Sequence, residues 1–422
     1  MQIFTAWQYL LIEVANHFGL DKFLFEDRIK WAEDHLHNLE KFIDQVGLKD
    51  RPLYIKAVQT IRKAQKGIPT GHVVGFDASC SGIQIMSVLT GCEAGARSTG
   101  LVDPDVRADA YSQTTQVMNR LLGNEGISVP RLHAKNALMT AFYGSTAQPK
   151  AIFGDGTAAL DAFYKAAQEV APGAWELLND LASTWNPSAL MHSWQLPDGF
   201  EAKVKVKTTE ETRIEVDELG GASFTYQYKE YMPLPQGHKD AKSNPANVVH
   251  SVDAYVVRCI QRRCNYDKAL ADRAHYLIQG ELYSRATFPQ WETGIKVPMS
   301  KEIQYYENLY RCHQVADVVI LPYLNLDQIR HLDTEHLEKL GSIVESMLCY
   351  EPFEVITVHD EFKCHPNNMN FLRSQYINIM CDLAEGTVLD AIMSSLFGQP
   401  IKYKKLSNNL SEKIVHSNYA LC

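Results

Sequence analysis

Several features that define common protein classes are missing from this sequence of 422 residues. Its nine cysteines include no C-x-x-C pair, which favours reduced thiols over a disulfide framework or a zinc site. No apolar run reaches the roughly 18 residues that a membrane-spanning helix needs, so we expect no membrane partner. Basic residues are not in excess, because 41 Lys and Arg stand against 50 Asp and Glu. A simple nucleic-acid coat is therefore disfavoured, whereas an enzyme with basic residues along one cleft is not.

Targeting segments and repeats are also missing. Residues 1–30 carry several acids and no cleavage-like site, so we expect no signal or transit peptide. We find no internal repeat and no low-complexity segment. With 45% hydrophobic and 22% charged residues, the chain has the composition of a globular protein, and its length allows two or three domains.

Hydrophobic periodicity predicts a mostly helical α+β protein. Strands are expected at 73–76 and 353–358, each with an aspartate near its end, and alternating residues over 200–232 predict a β-hairpin or small meander. Apolar residues three and four apart predict helices at 2–18, 25–43, 53–64, 105–122, 130–145, 158–170, 174–185, 248–263, 337–349 and 370–383.

The stretch from Arg131 to Ser145 has the most informative pattern. Four of its residues recur every fourth position and so share one stripe of a helix: Arg131, Lys135, Met139 and Tyr143. Pro130 suits the start of that helix, and Gly144 suits its end. Two cations, a flexible apolar side chain and an aromatic hydroxyl on one face suit the phosphates and base of a nucleoside triphosphate. For this stretch alone, an amphipathic surface helix with a solvated basic edge is an equal alternative.

Two aspartates, Asp77 and Asp360, are predicted at strand tips that lie far apart in the chain. Two carboxylates at adjacent strand ends form a hard oxygen site that suits Mg²⁺. Two such ions can clamp the attacking and leaving oxygens of a phosphoryl transfer. Taken singly, each aspartate is more simply interpreted as the cap of a turn.

In this order the motifs resemble motifs A, B and C of the single-subunit RNA polymerases of bacteriophages and mitochondria. Motif A is Asp77–Gln84, motif B is Arg131–Ser145 and motif C is Val358–Phe362. Weaker similarity in GLDKFLFEDRIKW, WQLPDGF, NVVHSVD and SNYALC extends the resemblance over nearly the whole chain. The family implies a right-hand polymerase fold, with an antiparallel-sheet palm and helical fingers. It also implies RNA synthesis from ribonucleoside triphosphates on a DNA template.

The resemblance implies catalytic and metal-binding roles for matching residues. Asp77 and Asp360 would bind two Mg²⁺ ions, and the Ala78 carbonyl would be an additional ligand. Lys135 would donate a proton to the leaving pyrophosphate, and Tyr143 would complete the catalytic group.

Substrate binding follows in the same way. Tyr143 and His250 would sense the ribose 2′-hydroxyl, since both have a suitable donor. The substrate-binding residues implied by the resemblance are Arg131, Lys135, Met139, Tyr143, His250 and Lys22. Structural alternatives stay open for three of them: a core aromatic at Tyr143, a helix-start histidine at His250 and a solvated loop charge at Lys22.

A DNA polymerase of family A is the alternative enzyme, because its motif C usually reads Val-His-Asp-Glu, as residues 358–361 do. Those enzymes carry Ser-Gln-Ile-Glu after the motif A aspartate, and the glutamate blocks a 2′-hydroxyl. Ser81–Gln84 lacks that bulk and charge, and Met139 stands where those enzymes carry Phe or a similar residue. Both features favour RNA. A degenerate polymerase-like binding subunit is a further alternative, which the presence of both acids disfavours.

Three domains are expected. Residues 1–104 would form the N-terminal part of the palm with a helical segment and motif A. Residues 105–250 would form the fingers with the motif B helix and the hairpin. Residues 251–422 would form the C-terminal palm with motif C, a C-terminal foot and an insertion at about 265–345, to which we assign no role.

The family's thumb, large N-terminal region and Asp-x-x-Gly-Arg segment are not found in the sequence. A truncated gene is one explanation and a two-chain enzyme is another. We expect a smaller second subunit to supply them, since the chain resembles the larger, catalytic subunit of a heterodimeric phage middle-gene RNA polymerase. The expected partners are a DNA template, the RNA product, ribonucleoside triphosphates and accessory proteins for promoter recognition. The expected location is the cytoplasm of an infected host cell.

The predicted hairpin occupies the place of the family's promoter-reading loop. Base readout in the major groove requires Arg, Asn or Gln, but this hairpin is rich in acids: Glu210, Glu211, Glu215, Asp217 and Glu218. We expect promoter recognition without accessory proteins to be weak or absent. Two basic triplets either follow phosphates or are solvated charges: Lys203, Lys205 and Lys207, and Arg258, Arg262 and Arg263.

Overall fold

Helices dominate the structure, and short antiparallel strands complete a mostly helical α+β fold, which confirms the predicted fold class at this level. A computed structural model of the protein describes residues 1–123, 126–206, 208–230, 243–288 and 297–422. No helix within these ranges is both long and apolar enough to span a membrane.

The α-helices of the described residues are α1 Ala6–Ala15, α2 Phe25–Asp34, α3 Arg51–Gln65, α4 Ser81–Thr90, α5 Glu93–Ser98, α6 Ala110–Leu122, α7 Arg131–Ala141, α8 Ala147–Phe153, α9 Ala158–Val170, α10 Pro172–Ser183, α11 Ser243–Cys264, α12 Lys268–Thr287, α13 Lys301–His313, α14 Thr334–Leu348, α15 Met369–Glu385, α16 Val388–Phe397 and α17 Leu410–Ile414. The strands are β1 Val74–Asp77, β2 Met191–Gln195, β3 Glu201–Lys205, β4 Thr208–Val216, β5 Ala222–Glu230, β6 Ile356–Val358 and β7 Glu361–Cys364.

The largest sheet of the described residues, the central sheet, is antiparallel and has three strands, in the order β1-β7-β6. The apolar residues of β1 and β7, Phe76 and Phe362, face each other in the register and are buried. Helix α4, which follows β1, is buried along its whole length and packs against α10, α11 and α15. The strand tips are therefore held by a rigid apolar base rather than by loops.

Two smaller antiparallel pairs lie outside this sheet. Strand β3 pairs with β2, a strand that periodicity did not predict, and β4 pairs with β5 as a hairpin with nine residues in each strand. Lys207 and residues 231–232 of the predicted hairpin region lie outside the described residues.

The buried apolar residues form two clusters. The larger cluster includes residues from Phe4 to Cys422 and surrounds the central sheet. The smaller one runs from Ala271 to Met347 and is built from α12, α13, α14 and the turns between them. It lies within the predicted insertion at about 265–345, so that segment has apolar packing of its own. The three domain boundaries stay a prediction.

Five predicted elements are shorter than the sequence pattern indicated. The helices predicted over 2–18 and 105–122 begin at Ala6 and Ala110. The helix predicted over 25–43 ends at Asp34, and residues 39–45 form a 3₁₀ helix. The rings of Phe18, Trp31 and Phe42 meet in one cluster, which draws the chain back on itself. Strand β6 begins only at Ile356, and α7 ends at Ala141, before Tyr143.

Candidate active site

Pairing between β1 and β7 brings the two predicted catalytic aspartates together. Asp77 ends β1 opposite Glu361, and Asp360 lies in the two-residue turn between β6 and β7. The Ala78 amide donates a hydrogen bond to the Asp360 carbonyl at 3.1 Å. Both aspartates line one cavity of about 250 Å³. The structure thus places two carboxylates from distant parts of the chain at one sheet edge.

Both strand tips hold a non-glycine residue with a left-handed backbone. Cys80, just after β1, has φ 67°, and His359, just before Asp360, has φ 56°. Such conformations are uncommon for non-glycine residues and persist where the surrounding structure imposes them. The turns that present the two aspartates are therefore set by the fold around them.

The electrostatics of this edge suit a bound cation. Burial, followed by the negative charges of Asp360 and Glu361, raises the pKa of Asp77 to about 7. Asp77 stays accessible through the cavity, so a cation can reach it. A cation between two such carboxylates would offset both their mutual repulsion and the cost of removing them from water.

The donor set fits Mg²⁺ in part. Within the described ranges, no group of three or more His, Cys, Asp or Glu side chains is arranged to hold a metal ion. Mg²⁺ is usually held by one or two carboxylates together with waters and substrate phosphates, which is what Asp77 and Asp360 offer. The Ala78 carbonyl also lies at the cavity and accepts a hydrogen bond from the Cys80 amide at 2.8 Å.

Helix α7 contributes to the same cavity. Lys135 and Met139 line it, whereas Arg131 does not line it but is bound to Asp109, which does. The Arg131 guanidinium donates from Nη2 and Nε to one Asp109 oxygen, at 2.6 and 2.8 Å. Lys135 Nζ lies 5.7 Å from the centre of the Tyr111 ring, on which Arg131 also packs. Asp109 and Tyr111, at the start of α6, thus hold the α7 cations in place.

Lys22 reaches the cavity from the opposite end of the sequence. Its ammonium forms an ion pair with Asp21 at 2.8 Å, and both residues line the cavity beside Asp77. The structure therefore brings Lys22 and Lys135 to one cavity. Both lysines were predicted to bind a triphosphate.

A second cavity of about 230 Å³ shares Cys80, Tyr111, Met139 and Asp360 with the first and contains the predicted sugar-sensing pair. Tyr143 lies in the turn after α7, not on the helical stripe, because the helix ends at Ala141. Its ring stacks on His250 with 4.6 Å between centroids and an angle of 6°. Burial raises the pKa of Tyr143 above its usual value, so its hydroxyl stays protonated and can donate.

Of the motif A residues Gly82 and Gln84, Gly82 lines the second cavity and Gln84 does not. A Cβ atom at Gly82 would lie 2.9 Å from the Tyr143 hydroxyl oxygen, so the ring occupies space that a side chain would take. Gln84 points away, fully buried, and its amide donates to the Thr99 and Ala420 carbonyls at 2.9 and 3.1 Å. The sequence predicted that Ser81–Gln84 lacks a bulky side chain at the sugar. In the structure, the residue without a side chain beside Tyr143 is Gly82.

The sequence interpretation missed four residues of the site: Arg107, Asp109, Tyr111 and Asp253. Asp253 had a usable signal, because it lies three residues after His250 and so shares a face of α11. Burial and the charge of Asp360 raise the pKa of Asp253 to about 6. The other three lie around the start of α6 and have no distinctive spacing in the sequence.

The arginine triplet on α11 is engaged inside the protein. Arg258 and Arg262 both bind Asp198, and Arg262 also binds Asp317 at 2.8 Å. Arg263 binds Asp382 at 2.8 Å and is itself buried. These internal ion pairs argue against both phosphate contact and solvated charge for the triplet.

Comparison with known proteins identifies the region that carries motifs A and B. Residues 4–151 match the sequence model of a family described as DNA-dependent RNA polymerase. A DNA-directed RNA polymerase of Pseudomonas phage phiKMV is 28% identical over 170 residues, which cover 33% of this chain and 21% of that protein. A probable DNA-directed RNA polymerase of Neurospora crassa is 31% identical over 156 residues, covering 32% of this chain and 17% of that protein. The aligned region is thus about a fifth of each relative, and motif C lies beyond the match to the family model.

Proposed function

We propose that this chain, whose residues 4–151 match the DNA-dependent RNA polymerase family as its motifs predicted, catalyses template-directed RNA synthesis from ribonucleoside triphosphates. One observation carries the proposal. Asp360, which lies outside the matched region, shares a cavity with Asp77 of motif A and Lys135 of motif B. This grouping of one residue from outside the matched region with two from inside it supports the proposal.

In the proposed reaction the 3′-hydroxyl of the growing RNA attacks the α-phosphorus of a bound triphosphate, and pyrophosphate leaves. Arg131, Lys135 and Lys22 bind the phosphates, because Lys22 and Lys135 line this cavity and Arg131 is bound to Asp109 in its wall. Lys135 donates a proton to the leaving pyrophosphate, since it lies beside both the aspartates and the phosphate-binding side chains.

Asp77 and Asp360 are the residues that would hold Mg²⁺, with the Ala78 carbonyl as an additional ligand. Bound Mg²⁺ would neutralise charge on the phosphates and on the attacking and leaving oxygens. The chain's own contribution is to fix the two carboxylates on paired strands, so that little reorganisation is needed when substrate arrives.

Ribonucleotide selection is assigned to Tyr143 and His250, with Gly82 giving the tyrosine its place. The stacked rings present hydrogen-bonding groups beside Met139, and motif A has no glutamate at this wall to exclude a 2′-hydroxyl. These contacts favour an RNA polymerase over a family A DNA polymerase. The presence of both aspartates in one cavity disfavours a degenerate binding subunit.

The larger architecture is proposed on the same basis. The sheet β1-β7-β6 would be the palm, and α6 to α10 would belong to the fingers. A smaller second subunit, accessory proteins for promoter recognition and action in the cytoplasm of an infected cell stay predictions.

The acids at the tip of the β4–β5 hairpin, Asp217 and Glu218, are exposed and support weak promoter readout. Specific run-off transcription of linear duplex DNA by the chain alone would refute that part.

Primer extension tests the proposed function directly. Purified protein is given an RNA primer on a DNA template, Mg²⁺ and either ribo- or deoxyribonucleotides, with the Asp360→Asn variant in parallel. We expect extension with ribonucleotides, at least about a thousandfold slower in the variant, because one carboxylate of the metal-binding pair is lost.

The outcomes separate the alternatives. Preference for deoxyribonucleotides would indicate the family A alternative. Extension only after a co-purifying chain is added would support the second subunit. No extension in either case would favour the degenerate binding subunit.

A further inference from the structure

A fourth cation, which the motifs did not single out, lies in the cavity of the two aspartates. Arg107 belongs to the loop before α6 and lines the cavity together with Lys22, Lys135 and Asp77. Resting on the proposed function, we propose that Arg107 is a further triphosphate-binding residue of this site.

The contacts of Arg107 fix its position without cancelling its charge. Its Nε donates to the Asp21 carbonyl at 3.3 Å, and its Nη1 donates to the Ala108 carbonyl at 2.5 Å. Both acceptors are neutral. Among the described residues, no carboxylate lies within ion-pair distance of its guanidinium, although its charge contributes to lowering the pKa of Asp21. The guanidinium is therefore oriented, and it keeps both its net charge and an unused donor edge.

Two of the other cations are already paired. Lys22 is bound to Asp21 at 2.8 Å, and Arg131 is bound to Asp109 at 2.6 Å. Lys135 resembles Arg107 instead, since its nearest described partner is the face of the Tyr111 ring. An incoming polyphosphate thus meets two cations that need not first give up a carboxylate, and Arg107 is one of them.

Arg107 also lies between the segment that carries Lys22 and the residue that binds Arg131. Its bond to the Asp21 carbonyl connects it to the loop that carries Lys22. Two residues further along the chain, Asp109 binds Arg131 of α7. Lys22, Arg107 and Lys135 line one cavity, and Arg131 is bound to Asp109 of the same cavity, so four cations are grouped there. A triphosphate tail, with several negative charges in a row, matches such a group better than it matches any isolated cation.

Equilibrium binding of inorganic tripolyphosphate, measured by calorimetry, tests the assignment without any chemical step. Arg107→Gln keeps hydrogen-bonding capacity but removes the charge, and Arg107→Lys keeps the charge. Arg120→Ala is the matched control, because Arg120 is an exposed arginine that pairs with Glu169 at the far end of α6. We expect Arg107→Gln to weaken binding about tenfold or more, Arg107→Lys to lose less, and the control to bind like the unsubstituted protein.

Extension kinetics supply the second measurement. Arg107→Gln should raise the KM for ribonucleoside triphosphates about tenfold with a much smaller change in kcat, since binding is lost in the ground state and the transition state alike. Equal tripolyphosphate affinities for Arg107→Gln and Arg120→Ala would overturn the inference, and so would a loss confined to pyrophosphate, the product. Tripolyphosphate binding that depends on Arg107 in a protein that extends no primer would overturn the proposed function alone. Thermal melting of each variant shows whether it is folded.

Discussion

At the level of single residues, Gly82 of motif A lies against the Tyr143 ring of motif B. A Cβ atom at Gly82 would lie 2.9 Å from the tyrosine oxygen and 3.2 Å from the ring carbon that bears it. Neither the ring nor helix α4 can move freely, because Tyr143 stacks on His250 and α4 is buried throughout. One methyl group at this position therefore acts on the sugar-sensing pair.

Gly82→Ala should weaken the preference for ribonucleotides. The added methyl group pushes Tyr143 off its stack, at a cost of about 1–3 kcal/mol for overpacking. We expect the ratio of ribo- to deoxyribonucleotide incorporation to fall about tenfold, which corresponds to about 1.4 kcal/mol. Competition assays with both nucleotide types measure that ratio.

Gly280→Ala is the control for this substitution. Gly280 lies in α12, and a Cβ atom there would meet nothing within 4 Å. Alanine at that position should leave the incorporation ratio unchanged and add about 0.5–1 kcal/mol of helix stability. Equal incorporation ratios for the two variants would show that Gly82 does not control Tyr143.

The buried histidine His313 gives the protein a pH dependence that is independent of the active site. It is 1% exposed, its Nδ1 has no hydrogen-bond partner among the described residues, and burial lowers its pKa to about 4. The unfolded chain binds a proton near pH 6.5, so the folded state loses stability as pH falls from about 6.5 towards 4.

His313→Gln should flatten this part of the stability curve. Between pH 7 and 4.5, the unsubstituted protein should lose about 2 kcal/mol more than the variant, because the variant has no imidazole to protonate on unfolding. Urea unfolding at several pH values measures the difference. His416→Gln, at an exposed position, should leave the curve unchanged, and equal slopes for all three proteins would contradict the assignment.

At the level of elements, local signals predicted some boundaries and missed others. The start of α7 after Pro130 and the strand that delivers Asp77 follow from residues next to them in the sequence. The end of α2 does not, because it depends on Phe18 and Phe42, which reach Trp31 from outside the helix. Tertiary packing overrides helical periodicity at such points.

The site shows the same division. Asp77, Lys135 and Asp360 were predictable because a strand tip or a four-residue spacing marks them. Arg107 was not, since its position depends on the carbonyl of Asp21, far away in the sequence. The internal pairing of Arg258 could not be predicted either, because Asp198 lies on a separate element. Chemistry that depends on a distant partner has no local pattern to reveal it.

A cavity made in the smaller apolar cluster should destabilise α12, α13 and α14 more than it destabilises the central sheet. Leu340, in α14, is fully buried in the smaller apolar cluster. Leu340→Ala should cost about 2–5 kcal/mol, because a cavity is left behind. We expect amide hydrogen exchange to accelerate in α12, α13 and α14 more than in β1 and β7.

The control for this experiment is Leu383→Ala, in α15, which is equally buried but belongs to the larger cluster. It should accelerate exchange in the central sheet as well. If Leu340→Ala accelerates exchange uniformly, the two clusters unfold as one unit and the element-level interpretation is wrong.

At the level of the whole molecule, a single buried arginine joins regions from both ends of the sequence. Arg373 of α15 is 1% exposed, and its guanidinium donates to the Gln2 carbonyl, the Tyr9 hydroxyl and the Asn418 carbonyl at 3.1, 3.0 and 2.8 Å. It also lies 5.0 Å from the centre of the Phe25 ring. Within the described residues no carboxylate pairs with it, so neutral oxygens and aromatic rings provide its stabilisation.

This arrangement contacts β1, the strand that ends at Asp77. The Arg373 guanidinium lies 5.9 Å from the centre of the Phe76 ring, one residue before Asp77. The Cys422 amide donates to the Asp77 carbonyl at 3.1 Å, so the segment that Arg373 holds through Asn418 continues to the back of β1. Arg373 therefore contacts both the ring before Asp77 and the segment that reaches Asp77 from the other end of the chain.

Arg373→Lys tests these contacts. A lysine ammonium keeps the charge but cannot reach three divergent acceptors with the planar fork of a guanidinium. Because buried acceptors would lose their donors, we expect the free energy of unfolding to fall by about 2–4 kcal/mol. Arg62→Lys, at an exposed pair with Glu40, should change it by less than about 1 kcal/mol. Guanidinium unfolding measures both. If the two substitutions cost the same, neutral acceptors and rings do not hold Arg373 as described, and the two ends of the chain are joined by other contacts.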